Sequence, residues 1–159
     1  MSATIRPFAP GDRAAVVSLV HQLNLFEDAI SADRARDVKA AEACLGADLA
    51  RVARDGGAVM VAVDGPDVVG MMCFVLEQPQ PYLKAEIAQV GWVSELVIDE
   101  RFRGQGIGTA LLAEAERLAR SLGVRRLMIG AIVGNHIARK AYERFGFRPA
   151  VMELSKDLE

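Results

Sequence analysis

Arg103-Gly104-Gln105-Gly106-Ile107-Gly108-Thr109 sets one fixed cation beside three alternating glycines. Glycine reaches backbone conformations closed to other residues and leaves its own amide uncovered. A turn of this kind that opens a helix offers several convergent N–H donors and the positive end of the helix dipole. The chemistry expected here is anion binding, in the form of a phosphate cradle. Its flanks agree: the largely apolar run Val93 to Ile98 leads in, and Ile107, Leu111, Ala115, Leu118 and Leu122 recur behind it at helical spacing.

Two familiar phosphate-binding schemes do not fit this turn. A P-loop ends in Gly-Lys-Ser/Thr, whereas Gly108 is followed directly by Thr109. A dinucleotide fingerprint needs Gly-x-Gly-x-x-Gly and an acidic residue at the end of the next strand. Here Gly104 and Gly106 lead to Thr109, and the next strand runs into Ala131-Ile132. A second group lies downstream: Asn135, Ala138 and Tyr142, spaced by three and four, share one helix face. On residue type alone Asn135 equally fits a helix N-cap, and Tyr142 an amphipathic core tyrosine.

The elements that must position these residues follow from periodicity and punctuation. A short apolar start, Thr4 to Phe8, precedes a helix opened by Gly11-Asp12, with Val16, Leu19, Val20 and Leu23 on one face. A polar stretch from Glu27 to Asp37 separates it from a second helix through Leu45, Leu49 and Val52, stopped by Gly56-Gly57. Ala58 to Val63 and Val68 to Leu76 flank Asp64-Gly65-Pro66-Asp67 as a β-hairpin. A long strand is expected from about Ala88 to Ile98, then the glycine turn and a helix closed by Gly123. Leu127 to Val133 reads as a strand, Asn135 to Phe145 as a helix, and Phe147 to Leu154 as a last strand. The order β-α-α-β-β-β-α-β-α-β predicts an α/β fold with a mixed sheet and helices on both faces.

Composition narrows the class. The chain has 159 residues, 52% hydrophobic content and a formal net charge of -2, which fits a single domain over 1–159 with a sizeable core. The 19 basic and 21 acidic residues give no pull toward nucleic acid or membrane. Cys44 and Cys73 form neither a disulfide framework nor a zinc pattern, and His21 and His136 stand apart, so no metal is expected. With no signal-peptide pattern and no apolar run long enough to span a bilayer, a cytoplasmic location is expected.

The span Leu96 to Leu112 resembles the acyl-CoA signature of the GNAT N-acetyltransferase superfamily, whose core Arg/Gln-x-x-Gly-x-Gly/Ala is met by Arg103, Gly106 and Gly108. Asn135, Ala138, Tyr142 and Gly146-Phe147 match a second family element, and the order of elements matches the fold, so the resemblance covers nearly the whole chain. It implies acetyl-CoA as co-substrate, with its pyrophosphate on Arg103, Gly104, Gln105, Gly106, Ile107, Gly108 and Thr109. It also implies that the backbone of Leu96, Val97 and Ile98 faces the pantetheine arm and the acyl carbonyl. The face of Asn135, Ala138 and Tyr142 would line the same cofactor, with Tyr142 near the thioester sulfur. In the family the strand before the turn is bulged and splayed, which a sequence does not display. A homodimer is a further implication.

The reaction so implied joins the acetyl group to an amine. An alkyl ammonium has a pKa near 10.4, so only about one molecule in 10³ is free base at pH 7, and a proton must be removed. Glu95 is the carboxylate nearest the acyl-binding strand and the candidate base, with its side chain opposite to Leu96. A partly exposed structural carboxylate is the alternative for it. Tyr142 is the candidate acid for the leaving thiolate. Arg139 and Lys140 fit phosphate contacts and a solvated basic face equally well. Acceptor specificity is assigned to about Leu23 to Asp37 and Gln78 to Gln89, with Phe26, Tyr82 and Trp92 as pocket or core residues. Glu27, Asp28, Asp33 and Asp37 favour a cationic amine, blunted by Arg34 and Arg36. A non-catalytic acyl-CoA-binding sensor or partner module on the same scaffold is the second function class.

Overall fold

The structure is a computed structural model, and it describes residues 3–158. Strand β1 (Thr4–Pro7) runs into a 3-10 turn at Pro10–Asp12 and helix α1 (Arg13–Ser31). Asp12 fixes that junction: its carboxylate accepts from the Ala9 amide at 2.8 Å and pairs with Arg6 at 2.7 Å. Val16, Leu19 and Val20 form the buried face of α1, as their spacing predicts. The helix does not stop at the polar stretch. It carries Glu27 and Asp28 and ends at Ala32, which adopts a left-handed conformation (φ 55°). Nothing before Ala32 breaks the helix, because polar residues without Gly or Pro still propagate it. Helix α2 (Val38–Asp55) is capped by Asp37, which accepts from the Ala40 amide at 2.9 Å.

The hairpin forms as expected from β2 (Gly57–Asp64) and β3 (Asp67–Leu76), with Asp64 opposite Asp67 across the Gly65-Pro66 turn. Strand β4 (Gly91–Ile98) starts later than expected, because Ala85–Ile87 forms a 3-10 turn. Helix α3 (Ile107–Ser121), β5 (Leu127–Ile129) and helix α4 (His136–Phe145) follow. The sheet order is β1-β2-β3-β4-β5, antiparallel except for the parallel pair β4–β5.

Strand alternation sends side chains to two cores. Val59, Val61, Met71, Cys73, Val75 and Val97 meet α1 and α2 on one face. Met60, Ala62, Met72, Phe74 and Val93 meet Ile107, Leu111, Ala115 and Ala119 of α3 on the other. Helices therefore cover both faces of a mixed sheet, and the expected fold class holds.

Its last element does not. Residues 147–158 carry no strand, and Val151, Met152 and Leu154 are 75%, 82% and 89% exposed. A strand exists through a hydrogen-bonded neighbour, not through alternation alone. The Phe147 amide instead folds back onto the Tyr142 carbonyl, and Pro149 lacks a donor. Strand β5 is likewise shorter than expected, ending before Gly130. No helix among the described residues is long and apolar enough to cross a membrane.

Candidate active site

A β-bulge in β4 decides which way the site's carboxylate points. Cys73 pairs with Glu95 but Phe74 pairs with Val93, so Ser94 is the extra residue. Trp92 packs with the α1/α2 core and Val93 with the α3 core. Unbroken alternation would then turn Glu95 under α3. The bulge resets the phase, so that Leu96 and Ile98 pack toward α3 and Val97 toward α1 and α2. Ser94 and Glu95 consequently both face α1 and α2, and Ser94 Oγ lies 3.4 Å from Asp48 Oδ1 on α2.

At the same level the sheet opens. Strand β5 pairs with β4 at Gly91–Leu127, Trp92–Met128 and Val93–Ile129, and not beyond. From Glu95 to Ile98, β4 is paired on its β3 side only, so the Leu96–Val97–Ile98 stretch has no strand partner on its other edge. The bulge and the splay stand side by side.

The glycine turn follows this stretch. Gly104 and Gly106 take φ +76° and +83°, where side chains are strained, and a Cβ on either would meet nothing within 4 Å. Gly106 caps α3 without any side-chain hydrogen bond. The first amide to find a carbonyl is that of Ala110, bonded to Gly106 O at 3.0 Å. The amides of Arg103, Gly104, Gln105, Gly106, Ile107, Gly108 and Thr109 donate to nothing within the protein. Open amides at a helix N-terminus fit a pyrophosphate. Arg103 is turned aside: its Nε donates to Ile98 O at 3.3 Å and its guanidinium lies 5.3 Å from the Phe26 ring centre.

Helix α4 supplies the other wall. Asn135 is 9% exposed and accepts from the Ala138 amide at 3.1 Å, so it is the N-cap, and its side-chain NH₂ stays available. Ala138 and Tyr142 are both partly buried, consistent with one shared face. The Tyr142 ring meets Phe147 edge-on at 6.1 Å. Burial pushes its phenol up to about 12, with Glu27 and Glu95 adding to the shift. Those causes bring Tyr142, Glu27 and Glu95 into one electrostatic neighbourhood.

Glu95 is the most displaced carboxyl of the group. Burial pushes it up to about 8, helped by the negative charges of Asp48 and Glu27 and opposed by Arg34. The acidic run that sequence reading linked to a cationic acceptor is spent internally. Arg34 pairs with Glu27 at 2.9 Å and with Asp33 at 2.7 Å, Arg36 pairs with Asp28 at 3.1 Å, and Asp37 caps α2. Tyr82 is 81% exposed, whereas Trp92 packs against the α1/α2 core and Phe26 underlies Arg103. Arg139 pairs with Glu143 on the same helix at 2.9 Å. Cys73 is fully buried with its thiol pushed up to about 12, first by burial, and burial raises Cys44 too, so neither is a ready thiolate.

Sequence reading missed Asp48, Ser94 and the reach of Glu27 into the site. Asp48 had a signal: with Ala41, Leu45 and Val52 it recurs at helical spacing, a charge on an apolar stripe. Ser94 had none, because a bulge leaves no mark in residue type. Among the described residues no three His, Cys, Asp or Glu side chains gather as a metal site.

Known proteins share this fold and part of this sequence. The uncharacterized N-acetyltransferase YycN of Bacillus subtilis (strain 168) is 34% identical over 92 residues, 58% of this chain and 55% of that protein. The chain thus matches about half the length of that relative. A mutant of the BH1408 protein from Bacillus halodurans has the same fold, with TM-score 0.84 at 20% identity, covering 98% of this chain and 99% of that one. Aminoglycoside N-acetyltransferase AAC(6')-Iy, solved in complex with CoA, gives TM-score 0.77 at 16% identity over 98% and 94% of the two chains. The pattern of the Acetyltransferase (GNAT) family matches residues 24–147. Spanning the bulged strand, the open glycine turn and the Asn135–Tyr142 wall, that match makes this chain a member of the acetyltransferase (GNAT) family.

Proposed function

We propose that the chain is an N-acetyltransferase that moves the acetyl group of acetyl-CoA to a primary amine by direct attack in a ternary complex. The observation that carries this reading is the opening of β4 from β5 at the bulge, beside seven amides that bond to nothing. Pyrophosphate oxygens meeting those amides form charge-assisted hydrogen bonds, each about 1.5–3 kcal/mol. The helix dipole adds about 0.3–1 kcal/mol. Arg103, Gly104, Gln105, Gly106, Ile107, Gly108 and Thr109 hold the diphosphate, while Leu96, Val97, Ile98, Asn135, Ala138 and Tyr142 line the arm.

The amine nitrogen attacks the thioester carbon, and its proton passes to Glu95 directly or through a water. An amide near Val97 stabilises the oxyanion that forms. As the C–S bond breaks, the departing sulfur takes a proton or a hydrogen bond from Tyr142. A thioester is already activated, so no enzyme nucleophile is required, and the buried Cys73 agrees with that. The acceptor is a small molecule or a peptide amine, the protein is a cytoplasmic homodimer, and residues 1–159 form one acetyltransferase domain.

Release of free CoA thiol across a panel of amines and peptides tests the reading. Turnover with at least one amine is expected. Tight acetyl-CoA binding without turnover on any acceptor would replace it with the sensor reading.

A further inference from the structure

Asp48 is a carboxylate where the fold calls for a core residue. With Ala41 and Leu45 it makes the buried side of α2, and it is 8% exposed. Oδ1 has one long contact, from Ser94 Oγ at 3.4 Å, and Oδ2 is buried with no hydrogen-bond partner. The cation one turn away, Arg51, is engaged by Glu77. A buried ionised carboxylate left in this state is strongly unfavourable unless a proton or another group answers it.

The bulge supplies the other group. It turns Ser94 and Glu95 consecutively to the α2 side, so the strand that touches Asp48 through Ser94 presents Glu95 from the next position. Cys73 faces Glu95 in register from β3. We infer that Asp48 is a positioning residue for Glu95: the two carboxyl groups form a pair across Ser94 that holds one proton between them and sets when Glu95 is ionised. The role of that ionisation in turnover rests on the reading of Glu95 as the base.

Every element around Glu95 bears on this. Glu27 of α1 and Asp48 of α2 oppose its ionisation, and Arg34 of the α1–α2 connection favours it. Cys44 of α2, Cys73 of β3 and Tyr142 of α4 are all held protonated by burial. Of the two acids, Glu27 has its own cation in Arg34 at 2.9 Å, whereas Asp48 has no ion pair and only the weaker field of Arg51, which pairs with Glu77. Burial also raises Asp48 itself, with Cys73, Ser94 and the charge of Arg51 pulling it back. Two such groups lose their protons in two steps that belong to the pair. The second step gates the base, so removing the Asp48 charge lowers it.

Carboxyl-carbon NMR of the substrate-free protein tests the pair without any turnover. In Asp48→Asn the Glu95 midpoint falls by about one unit or more, and Glu27→Gln moves it less. Coupling is reciprocal, so the Asp48 signal follows both steps of the pair in the wild type and titrates in a single, lower step in Glu95→Gln. This second variant keeps the question answerable if Asp48→Asn does not fold. Unchanged midpoints in both variants, or a larger effect from Glu27→Gln, overturn the pair. In turnover, Asp48→Asn moves the acid limb of kcat/KM down by the same shift while the plateau falls. A packing role would lower the plateau with the limb in place. If the NMR midpoints move and the limb does not, the pair stands and Glu95 is not the base.

Discussion

The Arg103 guanidinium rests 5.3 Å from the centre of the Phe26 ring and bonds Ile98 O, away from the amides of its own turn. The motif's fixed charge is thus parked on α1, while the unpartnered donors of the turn are backbone groups. Leaving the Phe26 ring forgoes about 0.5–1 kcal/mol and leaving Ile98 O forgoes a charged hydrogen bond, which offsets much of what Arg103 gains by swinging onto a phosphate.

The two kinds of donor therefore rank differently. Gly106→Glu abolishes CoA binding, because it puts a carboxylate where the diphosphate charge belongs. Arg103→Ala weakens binding by about one order of magnitude or less, corresponding to roughly 1.4 kcal/mol. Gly106→Asn, which tolerates positive φ, separates backbone strain from charge and retains measurable affinity. Calorimetric titration with CoA reads all three. Equal losses in Gly106→Glu and Arg103→Ala would contradict the ranking.

Glu95 makes stability depend on pH with a definite sign. Its folded-state pKa of about 8 exceeds the ordinary 4.5, chiefly through burial. The folded protein therefore binds this proton more tightly than the unfolded chain. The stabilisation is complete below about pH 4.5 and is lost as pH rises through about 8, at up to about 1.4 kcal/mol per unit. Glu95→Gln carries no such slope. Urea denaturation at pH 5 and pH 9 should show the variant gaining on the wild type at the higher pH. A constant difference between the two would mean that Glu95 is not displaced.

A phenol held at about 12 stays protonated throughout the working range, as the proposed proton donor to the leaving sulfur must. Tyr142→Phe keeps the edge-on packing against Phe147 and removes only the hydroxyl. Turnover at saturating substrates falls by about 10², with little change in the KM for acetyl-CoA. Full turnover in the variant ends the acid assignment.

How far the sequence carried depends on which interactions a residue uses. Val16, Leu19 and Val20, or Leu111 and Ala115, bury one face of a helix, and helical period alone reveals them. The glycines at 104 and 106 were legible because positive φ selects for them. Glu95 was legible as a carboxylate but its surroundings were not, since they depend on a bulge at Ser94 and on Asp48 from a distant helix. The expected strand at 147–154 failed for the same reason: alternation in Val151-Met152-Glu153-Leu154 names two faces and no partner. The run Glu27 to Asp37 looked acidic because composition counts charges, whereas Arg34 and Arg36 pair three of those carboxylates.

Asn135 holds a structural role that can be separated from a ligand role. Its Oδ1 caps α4 through the Ala138 amide, leaving the NH₂ group without a bond to the cap. Asn135→Asp keeps the accepting oxygen and adds a charge suited to a helix N-terminus. Asn135→Ala loses the cap and about 1 kcal/mol with it. If the amide donates to the pantetheine arm, both variants weaken acetyl-CoA binding, and only Asn135→Ala loses thermal stability. Wild-type affinity in Asn135→Asp would reduce Asn135 to a cap and leave Tyr142 as the polar contact from this helix.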